Sequence, residues 1–304
     1  MLLCTLLYGL PIALAGNLTS SKRGLVYTWS DGYSDGLWDQ AESDLTWYYN
    51  YASTPVNSFN SRLSYVPMLW GAGPQYNSFY STVKGLLGSG SNIDYVLAFN
   101  EPDLCGPASE GGSCVGAQHA AQIWQAEIEP LKQQHGLQLG APAVTQGGAW
   151  WLQDFFKACA GKCTVDFLPL HYYGDFVGLA AYLGAVHATY PQLPLWLTEF
   201  AEPNVTVLGA QQFYNQSVAF LDALDYLARY AYFGSFPAND ASSWVGPNGS
   251  MLDNGGHLTD IGAWYLGFNA TGRGPESGGV VVPGVTWISL LAFVLVWSAV
   301  FCFG

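Results

Sequence analysis

Residues 96–103 read VLAFNEPD, and the change of character halfway along decides what fold the chain builds. Val96, Leu97, Ala98 and Phe99 form a short apolar run suited to a strand buried on both faces, and Asn100, Glu101, Pro102 and Asp103 end it at once. A carboxylate, Glu101, therefore stands where a strand passes into a loop, which in a (β/α)8 barrel is the catalytic rim. Residues 195–200, LWLTEF, repeat the arrangement with Glu199.

Working outward, apolar, β-rich runs fall at residues 24–29, 46–51, 65–70, 137–144, 165–173, 194–200 and 226–234. Helical spacing appears at 38–45, 79–87, 117–135, 151–156, 176–190 and 213–224. With residues 96–99 the strands number eight, which predicts one α/β domain, a single (β/α)8 TIM barrel over residues 22–268. The rival is an open doubly wound sheet, disfavoured because no glycine-rich phosphate fingerprint follows the first strand.

Only 10% of the 304 residues are charged and 15% are aromatic, with a formal net charge of −13. That charge repels nucleic acid and polyanionic sugars, so a neutral partner fits best. Residues 1–16 read as a secretory signal ending in Ala13-Leu14-Ala15. Sequons at Asn17, Asn204, Asn215, Asn248 and Asn269 agree with export. Cys4 falls in the signal and Cys302 in the tail, leaving Cys105, Cys114, Cys159 and Cys163, which allow three pairings. In an oxidising compartment Cys105–Cys114 and Cys159–Cys163 are the favoured bridges; the alternative is a zinc site using Cys114 and His119.

Residues 280–304 carry no charge and run to the last position. Ser277, Gly278 and Gly279 lie just upstream, at the end of a flexible stalk over 269–279. Small residues before an apolar tail predict a glycosylphosphatidylinositol attachment signal with Ser277 as the anchor site, and hence a protein held at the cell surface or wall; a monomer is expected. Asn269-Ala270-Thr271 is a second candidate anchor site, and a plain spanning helix is the alternative.

FNEPD at 99–103, LHYYG at 170–174 and WLTEFA at 196–201 resemble the fungal glycoside hydrolase family 128. KRGLVY at 22–27, PMLWG at 67–71 and LGAPAV at 139–144 extend the resemblance over nearly all of residues 22–268. It implies a (β/α)8 barrel and a retaining β-1,3-glucanase with Glu101 as acid/base and Glu199 as nucleophile. Tyr172 stands where the resemblance leads one to expect Trp.

The residues themselves point the same way. Retaining cleavage needs one carboxyl to protonate the leaving oxygen and one carboxylate to attack the anomeric carbon. Asn100 is a candidate donor to the sugar 2-hydroxyl, against a turn role. His171 and Tyr173 share strand parity, so they point the same way, Tyr173 toward the nucleophile; a satisfied core histidine is the rival. Trp70, Phe236 and Trp244 are candidate sugar platforms and Asn50 a further contact, although most such residues simply pack. No His-x-x-x-His spacing marks a metal and no G-x-S-x-G elbow a serine hydrolase, so no cofactor is expected. The partner is a β-1,3-glucan, with wall-remodelling transglycosylation and non-catalytic glucan binding as the alternatives.

Overall fold

The computed structural model describes residues 20–28, 35–59, 62–107 and 111–276. The signal, Asn17, Ser277 and the tail after it lie outside the described residues.

Eight parallel strands succeed one another: β1 (Arg23–Val26), β2 (Trp47–Tyr49), β3 (Ser64–Tyr65), β4 (Tyr95–Val96), β5 (Gln138–Leu139), β6 (Leu168–Tyr173), β7 (Leu195–Ala201) and β8 (Leu227–Tyr232). Six pair in the order β3-β2-β1-β8-β7-β6, and β4 pairs with β5. Single parallel bridges join the two groups, Met68 with Leu97 on one side and Gly140 with Phe167 and Val144 with Leu170 on the other. Each strand thus neighbours the next and the last the first, the ring expected of the barrel.

Alternation of side chains across each strand splits the apolar residues into two cores. Val26, Trp47, Tyr49, Val66, Met68, Leu97, Phe167, Trp196 and Ala231 fill the barrel interior. Leu25, Tyr48, Leu168, Leu170, Leu197 and Tyr230 face the helices. Inside, the Arg229 guanidinium lies 4.4 Å from the ring centres of both Tyr95 and Trp196, a stacked cation that burial makes easier to deprotonate than usual. Gly24 faces Trp47 so closely that a Cβ would fall 2.0 Å from the indole.

The helices are α1 (Phe79–Gly88), α2 (Ala117–Ile123), α3 (Glu129–His135), α4 (Ala149–Cys159), α5 (Phe176–Thr189), α6 (Val207–Ala223) and α7 (Asp260–Tyr265). Two differences from the sequence reading have physical causes. The helix expected over 38–45 is absent: a short 3-10 turn, Asp35–Leu37, precedes irregular chain. Trp38 and Leu45 are buried without it, while Asp44 leaves the local pattern to pair with Arg23 at 3.0 Å. The helix over 117–135 is broken by a π-helical segment, Trp124–Ile128, just before Pro130, whose ring nitrogen cannot continue the ladder. Helix α7 escaped the sequence reading because it is six residues long and starts from one cap, Thr259, whose hydroxyl accepts from Gly262 N.

Cys105 is bonded to Cys114 and Cys159 to Cys163, the favoured pairing, so none of these thiolates is free for zinc. Asn215 and Asn269 are exposed, whereas the amide of Asn204 donates to the Trp244 carbonyl at 2.6 Å and that of Asn248 to the Val205 carbonyl at 2.8 Å.

Candidate active site

Glu101 leaves the β4 run in the left-handed region, at φ +41°, a conformation that costs a non-glycine residue about 1 kcal/mol or more. It is held there: its N–H donates to the Ala143 carbonyl at 2.7 Å, and its own carbonyl accepts from Leu104 N at 3.0 Å. The Cys105–Cys114 bridge closes the loop that follows.

Glu199 reaches the same cluster by a different device. On β7 the partner of Leu170 is Leu197, but the partner of the next residue, His171, is Glu199. The extra residue, Thr198, forms a bulge and reverses the alternation, so Glu199 points inward like Trp196 although it is three positions on. Without the bulge a neighbour would face the cavity instead.

One oxygen of Glu101 and one of Glu199 come within 4.8 Å of each other, with His171 between them. Its Nδ1 is 2.9 Å from Glu101 Oε1, and its Nε2 is 3.4 Å from Glu199 Oε1. Around Glu199 three phenols converge. Tyr173 donates to Oε2 at 2.6 Å and Tyr51 to Oε1 at 2.7 Å, while the Tyr49 hydroxyl lies 3.4 Å from Oε1 and 3.1 Å from the Thr198 carbonyl. Burial, and after it the charge of Glu199, pushes all three phenols well above their ordinary range. They therefore stay protonated, and each keeps a proton to donate.

Burial also raises the Glu199 carboxyl above its ordinary value; His171 lowers it, Glu101 adds to the rise, and the hydroxyls of Tyr173 and Tyr51 lower it. For His171, burial opposes protonation, but the two glutamates outweigh it and the ring binds its proton more tightly than a free imidazole. Glu101, His171 and Glu199 are the one cluster of metal-ligating types among the described residues.

Over residues 24–265 the chain matches the family described as glycosyl hydrolase catalytic core. The chain belongs to that family.

Alkali-sensitive linkage protein 1 of Schizosaccharomyces pombe is 32% identical over 257 residues, 81% of this chain but only 44% of the relative, so the chain spans less than half of that protein. Among solved structures, a curdlan-specific exo-β-1,3-glucanase of glycoside hydrolase family 128 from Blastomyces gilchristii, in complex with glucose, superposes with a TM-score of 0.65 at 28% identity, covering 82% of this chain and 98% of the other. A family 128 endo-β-1,3-glucanase from Amycolatopsis mediterranei, in complex with laminaritriose, gives 0.62 at 27%, covering 81% and 98%. The barrel of this glycosyl hydrolase core is thus that of family 128.

Of the residues flagged in sequence, the fold of this family member gathers Glu101, Glu199, His171 and Tyr173. Trp244 lies beside them, 56% exposed and edge-on to Tyr173 at 4.6 Å. Asn100 is buried next to Glu101, its amide donating to the Gly111 carbonyl at 3.0 Å while its Oδ1 has no partner. Trp70 lies five residues beyond β3, its ring 6.1 Å from that of Tyr76, and its carbonyl accepts from Asn100 N at 2.9 Å. Phe236 is buried behind Phe233, which in turn packs on Tyr173. Asn50 is spent on its own turn: Nδ2 donates to Thr54 O at 3.0 Å and Oδ1 accepts from Tyr65 OH at 3.0 Å. Tyr49 and Tyr51 were not foreseen. The signal for them was alternation in TWYYNY, where Trp47, Tyr49 and Tyr51 share a face that Asn50 does not.

Proposed function

We propose that this protein hydrolyses β-1,3-glucan by double displacement, with Glu199 as nucleophile and Glu101 as acid/base. The observation that carries the reading is the close approach of two carboxylates in unlike surroundings, one oxygen of each within 4.8 Å. Retaining glycosidases keep the pair about 5–5.5 Å apart, whereas inverting ones need about 6.5–9.5 Å to admit a water. The unlike surroundings support the division of labour. Glu199 accepts from two or three hydroxyls, bonds that favour its ionised form and lock its rotation, as a nucleophile requires. Among the described residues the Glu101 carboxyl makes one hydrogen bond, to His171, and its second oxygen is left to serve the leaving group.

In the first step a Glu199 oxygen bonds to the anomeric carbon while Glu101 delivers its proton to the departing glucosyl oxygen. In the second, water gives a proton to the ionised Glu101 and attacks the same carbon, so configuration is retained. β-1,3-Glucan as substrate is supported by the two solved relatives, both β-1,3-glucanases. We place the protein at the cell surface through an anchor at Ser277. Support comes from the chain just before it: Asp260 Oδ1 accepts from the N–H groups of Thr271 and Gly272, both at 2.8 Å, and Arg273 pairs with Asp253 at 3.0 Å. Cleavage after Asn269 would discard these contacts.

The test is incubation of the secreted protein and its Glu199→Gln variant with β-1,3-, β-1,4- and β-1,6-glucans, with the anomer first released followed by proton NMR. Release of β-anomer from the β-1,3 polymer alone, lost in the variant, is the expected result. Release of α-anomer would sink double displacement, and products longer than the substrate would turn the reading to transglycosylation.

A further inference from the structure

We propose that His171 is a fixed positive charge held in common by the two carboxylates, so that negative charge passes from Glu199 to Glu101 and back without leaving its counter-ion. This rests on the catalytic pair of the preceding reading and adds a positioning residue to it. The ring is 1% exposed. Its Nδ1 faces Glu101 at 2.9 Å, and its Nε2, 3.4 Å from Glu199, has no other partner. With Nδ1 hydrogen-bonded to one carboxylate, Nε2 within ion-pair distance of the other and the ring 1% exposed, the ring is placed to act through them and not on a sugar.

The groups around it leave little choice of charge. Glu101 and, farther off, Asp103 face it from the loop after β4, and Glu199 faces it from β7. The remaining neighbours at Glu199, Tyr49 and Tyr51 after β2 and Tyr173 on β6, are neutral donors. Acidic groups alone supply the field, which favours imidazolium.

The reaction explains why one cation serves both. When Glu199 bonds to the anomeric carbon, the glycosidic bond breaks with its electron pair going to the leaving oxygen, which takes the Glu101 proton. The unit of negative charge has moved from Glu199 to Glu101, from the Nε2 side of the ring to the Nδ1 side. When water gives its proton to Glu101 and the bond to Glu199 breaks, the charge returns. His171 is unchanged throughout, and neither state is left with an isolated buried anion.

Nitrogen-15 NMR of the histidine rings in the secreted protein reads this directly, with the His171→Gln spectrum assigning the signal. The expected result is a ring protonated on both nitrogens above pH 6.5, with a midpoint at least one pH unit lower in Glu101→Gln or Glu199→Gln. A ring neutral at pH 6.5, or a midpoint indifferent to both substitutions, overturns the proposal. Since no turnover is needed, a protein inactive on every glucan would defeat the proposed function while leaving this measurement intact. In kinetics, His171→Gln should lower kcat about 10- to 100-fold with KM within about twofold, and move the acid limb of the pH profile upward, because the carboxyls lose a cation. A raised KM with unchanged kcat would make the ring a substrate contact and overturn the proposal.

Discussion

The two ends of the barrel use the same materials, buried charge and tyrosine hydroxyls, to opposite effect. At the amino-terminal end Arg23 is ringed by opposite charges and acceptors: Asp44 at 3.0 Å, Asp222 at 3.7 Å and the carbonyls of Trp264 and Tyr265, both at 3.3 Å. The Tyr230 hydroxyl lies 3.1 Å from Nε and itself donates to Asp222 at 2.7 Å. Although burial opposes the charge, the surrounding tyrosines raise the Arg23 proton affinity further above its ordinary value. At the carboxy-terminal end two carboxyl groups meet with a single imidazole between them. The first arrangement ties β1, β8, α6, α7 and the chain before β2 together; the second sets two acids side by side, and Glu101 helps to raise the carboxyl of Glu199. What distinguishes a structural charge cluster from a reactive one here is the sign of the neighbours, not the degree of burial.

The comparison is broken most sharply at Glu199. Glu199→Gln should lower kcat on β-1,3-glucan by more than about 10⁴-fold and yet raise the thermal midpoint at pH 7. The Glu199 carboxyl is raised above its ordinary value of 4.5, so the folded state holds that proton more tightly than the unfolded one. Its stability contribution is therefore complete below pH 4.5 and is lost as pH rises through the folded value. Removing the charge should recover about 2–4 °C, the shift that 1 kcal/mol gives in a domain of this size, and flatten the decline in stability with pH. A melting curve lower than wild type would refute the idea that the rim is strained by its charges.

Arg23→Met should do the reverse. It strands Asp44 and Asp222, costing about 3–5 kcal/mol in denaturant unfolding, while kcat of the folded fraction stays at the wild-type value. Loss of turnover in fully folded protein would show that the two ends are coupled. Next in size, Tyr51→Phe and Tyr173→Phe each remove a donor to a carboxylate, about 1.5–3 kcal/mol, and should lower kcat about 10- to 100-fold with little change in folding. The comparable change at Tyr230 should act on stability alone. Smallest, Gly24→Ala sets a methyl against the Trp47 indole at 2.0 Å and should cost about 1–3 kcal/mol in stability, read by chemical denaturation, with the rim undisturbed.

Glu101 and Glu199 could be picked out in sequence because each interrupts or ends an apolar run, a local signal that needs no neighbours. His171 and Tyr173 were legible as a pair for the same reason, through parity on one strand. The rest was not local. Tyr49 and Tyr51 lay in plain view in TWYYNY, yet which face of that strand turned inward depended on Gly24 leaving room for Trp47 on the neighbouring strand. The expected helix over 38–45 failed because Asp44 had a better partner in Arg23, contributed by another strand.

The sequence by itself determined the number and order of the strands, the close spacing of Cys105 with Cys114 and of Cys159 with Cys163, and the two glutamates at strand ends. Apolar runs and short-range spacings are properties of neighbouring residues. Only the tertiary structure decided that Thr198 bulges and so turns Glu199 inward, that three phenols meet on it, and that His171 stands between the carboxylates. Those depend on register between strands distant in the chain, which hydrogen bonding across the barrel sets.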